Sequence, residues 1–209
     1  MKNNKPNLTG LLFGSFNPVH IGHIAIAGYM KEFEELDEIW FIVSPRNPFK
    51  SQVDLADAGE RLEMVMMAAK KHRGLSASDI EFGMPLPSYT LDTMKNLTKN
   101  FPEREFKIIL GSDNLESIPL WKGGKTLMKD YSFLIYPRPG SIPVNRDKDN
   151  VMESTGNKPM GFNDAKITDA PVIDVSSTFI RESVAAGKDM RAFLPEGVYE
   201  YIVERNIYR

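Results

Sequence analysis

The chain reads as an α/β protein with a mainly parallel, doubly wound sheet and helices on both faces. Two observations predict this. Apolar runs of strand length alternate with helix-length periodic segments along the 209 residues, and alternating β and α units close into a parallel sheet. The chemically distinctive motifs fall where strands end, the place where such sheets bind ligands.

The elements follow in order. Leu8–Phe13 is an apolar run and the first strand. Ile24–Leu36 is apolar-periodic and makes the first helix. Glu38–Val43 is the second strand. Pro45–Ala56 is polar and carries two prolines, so it is a loop. Asp57–Lys71 is helical, with Leu62, Val65, Met66 and Ala69 on one face. Ala77–Phe82 is expected as a third strand and Tyr89–Lys99 as a helix. Phe106–Leu110 is a strand ending at Gly111-Ser112-Asp113. Tyr131–Tyr136 is a strand ending at Pro137-Arg138-Pro139-Gly140. Asn145–Ala165 is polar, with Gly and Pro, and reads as an irregular connection. Pro171–Val175 is expected as a last short strand, followed by a helix from Ser177 and a final helix from Pro195 to Asn206. No internal repeat or low-complexity tract interrupts this order. Residues 1–209 are expected to form one domain, with a helical portion from about 177 to 209 packed on it.

Composition limits the function classes. Hydrophobic residues make up 42% and charged residues 26%, which is ordinary for a globular protein. The net charge of −2 gives no global basic excess for nucleic acid, so anion binding must be local. The chain has no cysteine, which excludes disulfides, thiolate zinc sites and cysteine nucleophiles. No apolar run approaches the roughly 20 residues of a membrane span, and Met1–Pro6 lacks the apolar core of a signal peptide. A cytoplasmic protein is expected.

The most informative segment is Gly14-Ser15-Phe16-Asn17-Pro18-Val19-His20-Ile21-Gly22-His23. Its context is strand, tight turn, helix. Such a turn presents free backbone N–H groups and a positive helix end to an anion. His20 and His23 are two of the three histidines in the chain. Three residues apart, they share a helical face. A polyphosphate site explains that placement better than an apolar core does.

A second candidate is Ser176-Ser177-Thr178-Phe179-Ile180-Arg181. Ser177 or Thr178 is expected to cap a helix start, and both hydroxyls can reach a phosphate. Arg181, one turn on, can aim its guanidinium at the same anion. Two other patterns mislead. Gly123-Gly124-Lys125-Thr126 imitates the end of a P-loop, but Pro119 stands where that motif needs glycine, so it reads as a helix start. The two histidines lack the four-residue spacing and intervening glutamate of a zinc-protease pair.

The first segment resembles the phosphate-binding signature of the nucleotidyltransferase superfamily, Gly-x-Phe-x-Pro-x-His-x-Gly-His. Ser176-Ser177-Thr178-Phe179-Ile180-Arg181 resembles its second signature, Ser-Ser-Thr-x-Ile-Arg, in the version of the pyridine-nucleotide branch. Ser88-Tyr89-Thr90-Leu91-Asp92-Thr93, Gly111-Ser112-Asp113 followed by Trp121, and Arg138-Pro139-Gly140 resemble three further segments of that branch. The matches run from Gly14 to Arg181 in the same order. The chain therefore resembles the bacterial nicotinate-mononucleotide adenylyltransferases. It departs from them at Asn17, where aspartate is commonest, and in the loop Ser44–Lys50.

The resemblance implies a Rossmann-like fold and adenylyl transfer from ATP, with Mg2+, to nicotinate mononucleotide. His20, His23 and Arg181 would be catalytic. Gly14, Ser15, Phe16, Gly22, Gly111, Asp113, Ser177 and Thr178 would join them in binding ATP. Asn17, Lys50, Tyr89, Thr90, Trp121 and Arg138 would hold the acceptor. Nicotinamide mononucleotide, phosphopantetheine or another phosphate acceptor, and a non-catalytic nucleotide-binding regulator, are the alternatives. Homo-oligomerisation stays open. No nucleic-acid or membrane partner is expected.

Overall fold

A computed structural model describes residues 7–46, 55–140, 159 and 161–209. Its sheet has six strands: β1 (Asn7–Gly14), β2 (Glu38–Val43), β3 (Leu75–Ser78), β4 (Arg104–Gly111), β5 (Ser132–Tyr136) and β6 (Asp164–Ile167). They run in the order β3-β2-β1-β4-β5-β6, and every neighbouring pair is parallel. The chain thus winds outward twice from the middle. The strand order reverses between β1 and β4, where the crevice beyond the carboxyl ends opens.

Among the described residues the α-helices are α1 (Ile21–Phe33), α2 (Ala58–Lys70), α3 (Thr90–Asn100), α4 (Gly124–Asp130), α5 (Ser177–Ala185) and α6 (Val198–Glu204). The period-2 alternation of the strands divides the core between two faces. Leu12, Phe41, Val43, Ile109 and Leu134 point one way, into a cluster with α1, α2, α5 and α6 through Met30, Val65, Ile180 and Ile202. Leu11, Ile42, Ile108, Phe133 and Ile135 point the other way, towards Met94 and Leu97 of α3 and Leu127 of α4.

Four boundaries correct the sequence reading. Pro171–Val175 is not a strand. The edge strand beside β5 is β6, whose first two residues lie in the stretch expected to be irregular. Its exposed, buried, exposed, half-buried alternation suits an edge covered on one face, a weak signal in four residues. Ile173 and Val175 instead pack onto the first cluster. The third strand lies earlier than expected, and Ile80–Gly83 is a 3₁₀ turn. Helix α1 begins at Ile21, with His20 as its N-cap residue. The last helix is shorter than Pro195–Asn206 and starts after Gly197, whose φ is +84°.

The P-loop imitation resolves as expected into a helix start. Gly123 precedes α4 with φ +73°. At Gly124 any side chain would run into the Ile118 carbonyl, so glycine serves packing there.

Candidate active site

The switch point between β1 and β4 holds a cleft of about 260 Å3. The end of β1 and its turn contribute Gly14, Ser15 and Phe16, and α1 contributes His23. Gly111 and Asp113 enter from the end of β4, and Arg138 from the end of β5. Thr90 opens α3 beside them, Trp121 closes the side, and Ser177 reaches in from α5. Residues far apart in sequence meet because parallel strands place all their carboxyl ends on one edge.

The histidines form a defined pair. The His20 backbone N–H donates to Nδ1 of His23 at 3.1 Å. Their rings stack with centroids 3.7 Å apart, and the Phe16 ring meets His23 edge-on at 5.1 Å. Because Nδ1 of His23 accepts, its ring proton sits on Nε2. His20 lines a small recess next to the cleft, with Gly22, Tyr136, Arg138, Ile173 and Val175. Gly22 lets the His20 ring lie back, since a Cβ there would stand 3.0 Å from Nδ1.

Burial, reinforced by the Arg138 charge, lowers the His20 pKa from 6.5 to about 4. His20 is therefore a neutral imidazole at neutral pH. Its Nδ1 and the Ser15 hydroxyl are buried with no hydrogen-bond partner among the described residues. Buried polar atoms without a protein partner are uncommon and point to a functional role or a bound water.

Arg138 connects the two strand ends. Its backbone N–H donates to Ser112 Oγ at 2.8 Å, and its Nε lies 3.7 Å from Asp113 Oδ1. Trp121 Nε1 donates to Ser117 Oγ at 3.2 Å. No side chain hydrogen-bonds the N-cap position of α3. Tyr89, the first residue of the expected helix, is instead its N-cap residue, and the leading N–H groups of α3 keep their anion-binding capacity.

Some expected residues lie elsewhere. Tyr89 does not line the cleft; Lys122 Nζ covers its ring at 4.2 Å. Ser176, rather than Ser177 or Thr178, caps α5 by accepting from Phe179 N at 3.2 Å. The helix begins at Ser177 as expected, and the Ser177 hydroxyl donates to the Pro18 carbonyl at 2.9 Å.

Arg181 Nη1 donates to the Asn17 carbonyl at 3.0 Å. Thr178 and Arg181 face a separate open cleft with Glu60, Arg205 and Tyr208. The Asn17 side-chain oxygen accepts from Ala56 N at 3.0 Å and from Tyr208 Oη at 2.7 Å. Burial raises the Tyr208 pKa and keeps that donor protonated. Asn17 thus ties the turn to α5 and to the end of the chain. Lys50 lies outside the described residues.

Sequence reasoning missed two charged residues beneath the site. Arg61 is 1% exposed and Glu81 is 2% exposed. Arg61 carried a signal: it stands in register with the apolar stripe Met64, Val65 and Ala68 of α2. Glu81 carried none.

The cytidylyltransferase-like family profile matches residues 11–183, from β1 through the two histidines to Arg181 and the body of α5. The chain belongs to that family. Curated relatives are similar to it over nearly their full length. A Bacteroides fragilis (strain YCH46) protein named "Probable nicotinate-nucleotide adenylyltransferase" is 43% identical over 198 residues, covering 94% of this chain and 92% of that protein. A Flavobacterium johnsoniae protein of the same name is 38% identical over 200 residues, covering 96% and 98%. The fold is also that of the solved Plasmodium falciparum nicotinic acid mononucleotide adenylyltransferase complexed with NaAD. The TM-score is 0.76 at 20% identity, with 97% of each chain covered. Among the described residues no helix is long and apolar enough to cross a membrane.

Proposed function

We propose that this chain transfers the adenylyl group of ATP to nicotinate mononucleotide, releasing pyrophosphate and forming nicotinate adenine dinucleotide for NAD synthesis. The observation that carries this reading is the switch-point cleft. It joins the histidine turn, the ends of β4 and β5 and the uncapped start of α3 in one cavity. The near full-length similarity to nicotinate-nucleotide adenylyltransferases supports the same reaction.

The acceptor's own phosphate attacks the α-phosphorus of ATP in line, and pyrophosphate leaves from the opposite side. No protein nucleophile takes part. Catalysis rests on positioning and on donors aimed at developing charge. With Nδ1 of His23 accepting from His20 N, its Nε2–H is the donor to the reacting phosphate. Neutral His20 and the Ser15 hydroxyl supply the open polar atoms beside it. Gly14, Phe16 and Gly22 let the backbone and rings pack close to the triphosphate. Gly111 and Asp113 hold the adenosine. Thr90, Trp121 and Arg138 hold the acceptor, with Tyr89 and Asn17 shaping that region and Lys50 adding a cation. Thr178, Ser177 and Arg181 hold the β- and γ-phosphates.

A divalent cation, Mg2+, would enter with the ATP and would neutralise charge on its phosphates. Among the described residues no group of three or more His, Cys, Asp or Glu gathers that could hold a metal ion. The reading of residues 1–209 as one domain is supported by Ile180, Val184, Val198 and Ile202 of the last two helices, which share a core cluster with the sheet. The place of work is the cytoplasm, where ATP is supplied.

The uncapped N–H groups at α3 favour the acid over the amide, whose own NH2 donors would face them. Buried donors left unpaired cost about 1–3 kcal/mol, roughly 10–100-fold in kcat/KM. Pyrophosphate release with ATP and each mononucleotide tests this. The expected result is turnover of both with the acid preferred. No turnover with either would overturn the proposal, and a preference for the amide would overturn the acceptor assignment.

A further inference from the structure

We propose that Arg61, Ser44 and Glu81 form a buried brace that sets the spacing between the nucleotide turn after β1 and the acceptor side at the start of α3. This rests on the reaction proposed above. None of the three would touch substrate; they are positioning residues.

Arg61 makes no ion pair among the described residues and donates to four backbone carbonyls instead. Nη1 donates to Ser15 O at 2.6 Å and to Ser44 O at 2.8 Å. Nη2 donates to Pro45 O at 2.8 Å, and Nε to Ala56 O at 3.0 Å. Taking a guanidinium out of water has a large cost, and burial lowers the Arg61 pKa. An apolar residue would fill the space without that cost. The planar fork does what an apolar residue cannot: it fixes several peptide planes at once.

The bond to Ser15 O matters most. In a trans peptide the C=O and the next N–H point in opposite directions. With Ser15 O held down by Arg61, the Phe16 N–H points away from Arg61. Phe16 itself sits at φ +47°, a left-handed conformation costly for a bulky residue. Arg61 is the group that holds this strained peptide in place.

Glu81 does the matching work on the acceptor side. Its Oε2 accepts from Ser44 Oγ at 2.9 Å and from Ser88 Oγ at 2.5 Å. Its Oε1 accepts from Thr93 Oγ1 at 2.8 Å. Ser88 stands just before α3 and Thr93 lies in its first turn, so both sides of the helix start are fastened to one carboxylate. Ser44 joins the halves: its carbonyl is held by Arg61 and its hydroxyl by Glu81. Two substrates that must meet in line are thus seated on segments linked through one serine. A misplacement of about 1 Å between reacting groups can cost about a hundredfold in rate.

The test separates positioning from binding and folding. Ser44→Ala removes the link and leaves the carbonyl to Arg61. Its kcat at saturating substrates is expected to fall at least about tenfold. Kd for Mg-ATP alone and for nicotinate mononucleotide alone should stay within about threefold of wild type, by calorimetry. Ser44→Thr, which keeps a hydroxyl, should restore most of kcat. Glu81→Gln should lower kcat in the same way, and the double variant with Ser44→Ala should be no slower than the slower single. A Ser44→Ala kcat within about twofold of wild type would overturn the brace. So would a loss matched by weaker binding of either substrate, a failure of threonine to restore turnover, or multiplicative losses in the double variant. Should Ser44→Ala not fold, Glu81→Gln carries the same comparison. Wild-type turnover in the same assay judges the proposed reaction, and the ratio of variant to wild type judges the brace.

Discussion

The backbone N–H of His20 donates to Nδ1 of His23 at 3.1 Å, and the two imidazoles stack at 3.7 Å. One histidine thereby fixes the tautomer of the other. The ring nitrogen left as donor, Nε2 of His23, belongs to a side chain that lines the switch-point cleft.

Removing that donor should stop the chemistry and leave the fold. His23→Ala is expected to lower kcat by roughly 10²–10³, the effect of losing one preorganised charge-stabilising donor. His23 is only half-buried, so the melting temperature should move little. Pyrophosphate release together with a thermal melt checks both parts, and a folded variant with wild-type kcat contradicts the assignment.

His20 should make the fold sensitive to acid. Its pKa is lowered from 6.5 to about 4, first by burial and then by Arg138. Between those values the unfolded chain binds more protons than the folded one. Stability therefore rises with pH across that window, is complete above about pH 6.5, and is lost as pH falls towards 4. The full difference is on the order of 3 kcal/mol. Urea unfolding at pH 7 and pH 4.5 should show a smaller acid loss in His20→Asn than in wild type. Equal losses would show that His20 is not the group responsible.

Arg181→Ala should weaken triphosphate handling more than it weakens the fold. The guanidinium spends one N–H on the Asn17 carbonyl, a bond worth about 1–3 kcal/mol for a charged donor. Its cleft with Thr178 is where the β- and γ-phosphates are proposed to lie. The upward shift in melting temperature on adding Mg-ATP should be at least halved in the variant. An undiminished shift places the triphosphate elsewhere.

Gly124→Ala should act on stability alone. A methyl group there collides with the Ile118 carbonyl, a backbone clash expected to cost about 2–4 kcal/mol. The folded fraction should bind Mg-ATP with unchanged affinity. Weakened ATP binding without loss of stability would instead support a phosphate-binding role for the Gly123-Gly124-Lys125-Thr126 string.

Much of this molecule was legible because its signals are local. A strand such as Glu38–Val43 and a helix such as Ala58–Lys70 declare themselves by apolar period. The turn Gly14–His23 declares itself by residue types that no core would gather. Alternation of the two element types was enough to predict a parallel sheet, and a parallel sheet puts its carboxyl ends on one edge. The sequence by itself therefore determined the fold class, the histidine turn and the neighbourhood of Gly111, Asp113 and Arg138.

Tertiary structure decided the rest, because the deciding contacts join residues distant in the chain. Four-residue β6 pairs along β5, although its local pattern was no stronger than that of Pro171–Val175. Asn17 was expected at the acceptor, and long-range hydrogen bonds to Ala56 and Tyr208 occupy its side-chain oxygen. The cap of α5 fell on Ser176 because Ser177 found the Pro18 carbonyl. Most of all, Arg61 shows in a linear reading only its place on the apolar stripe of α2, and Glu81 looks there like an ordinary surface charge. Only the folded chain brings four carbonyls to one and three hydroxyls to the other, and only such partners make a buried charge tolerable.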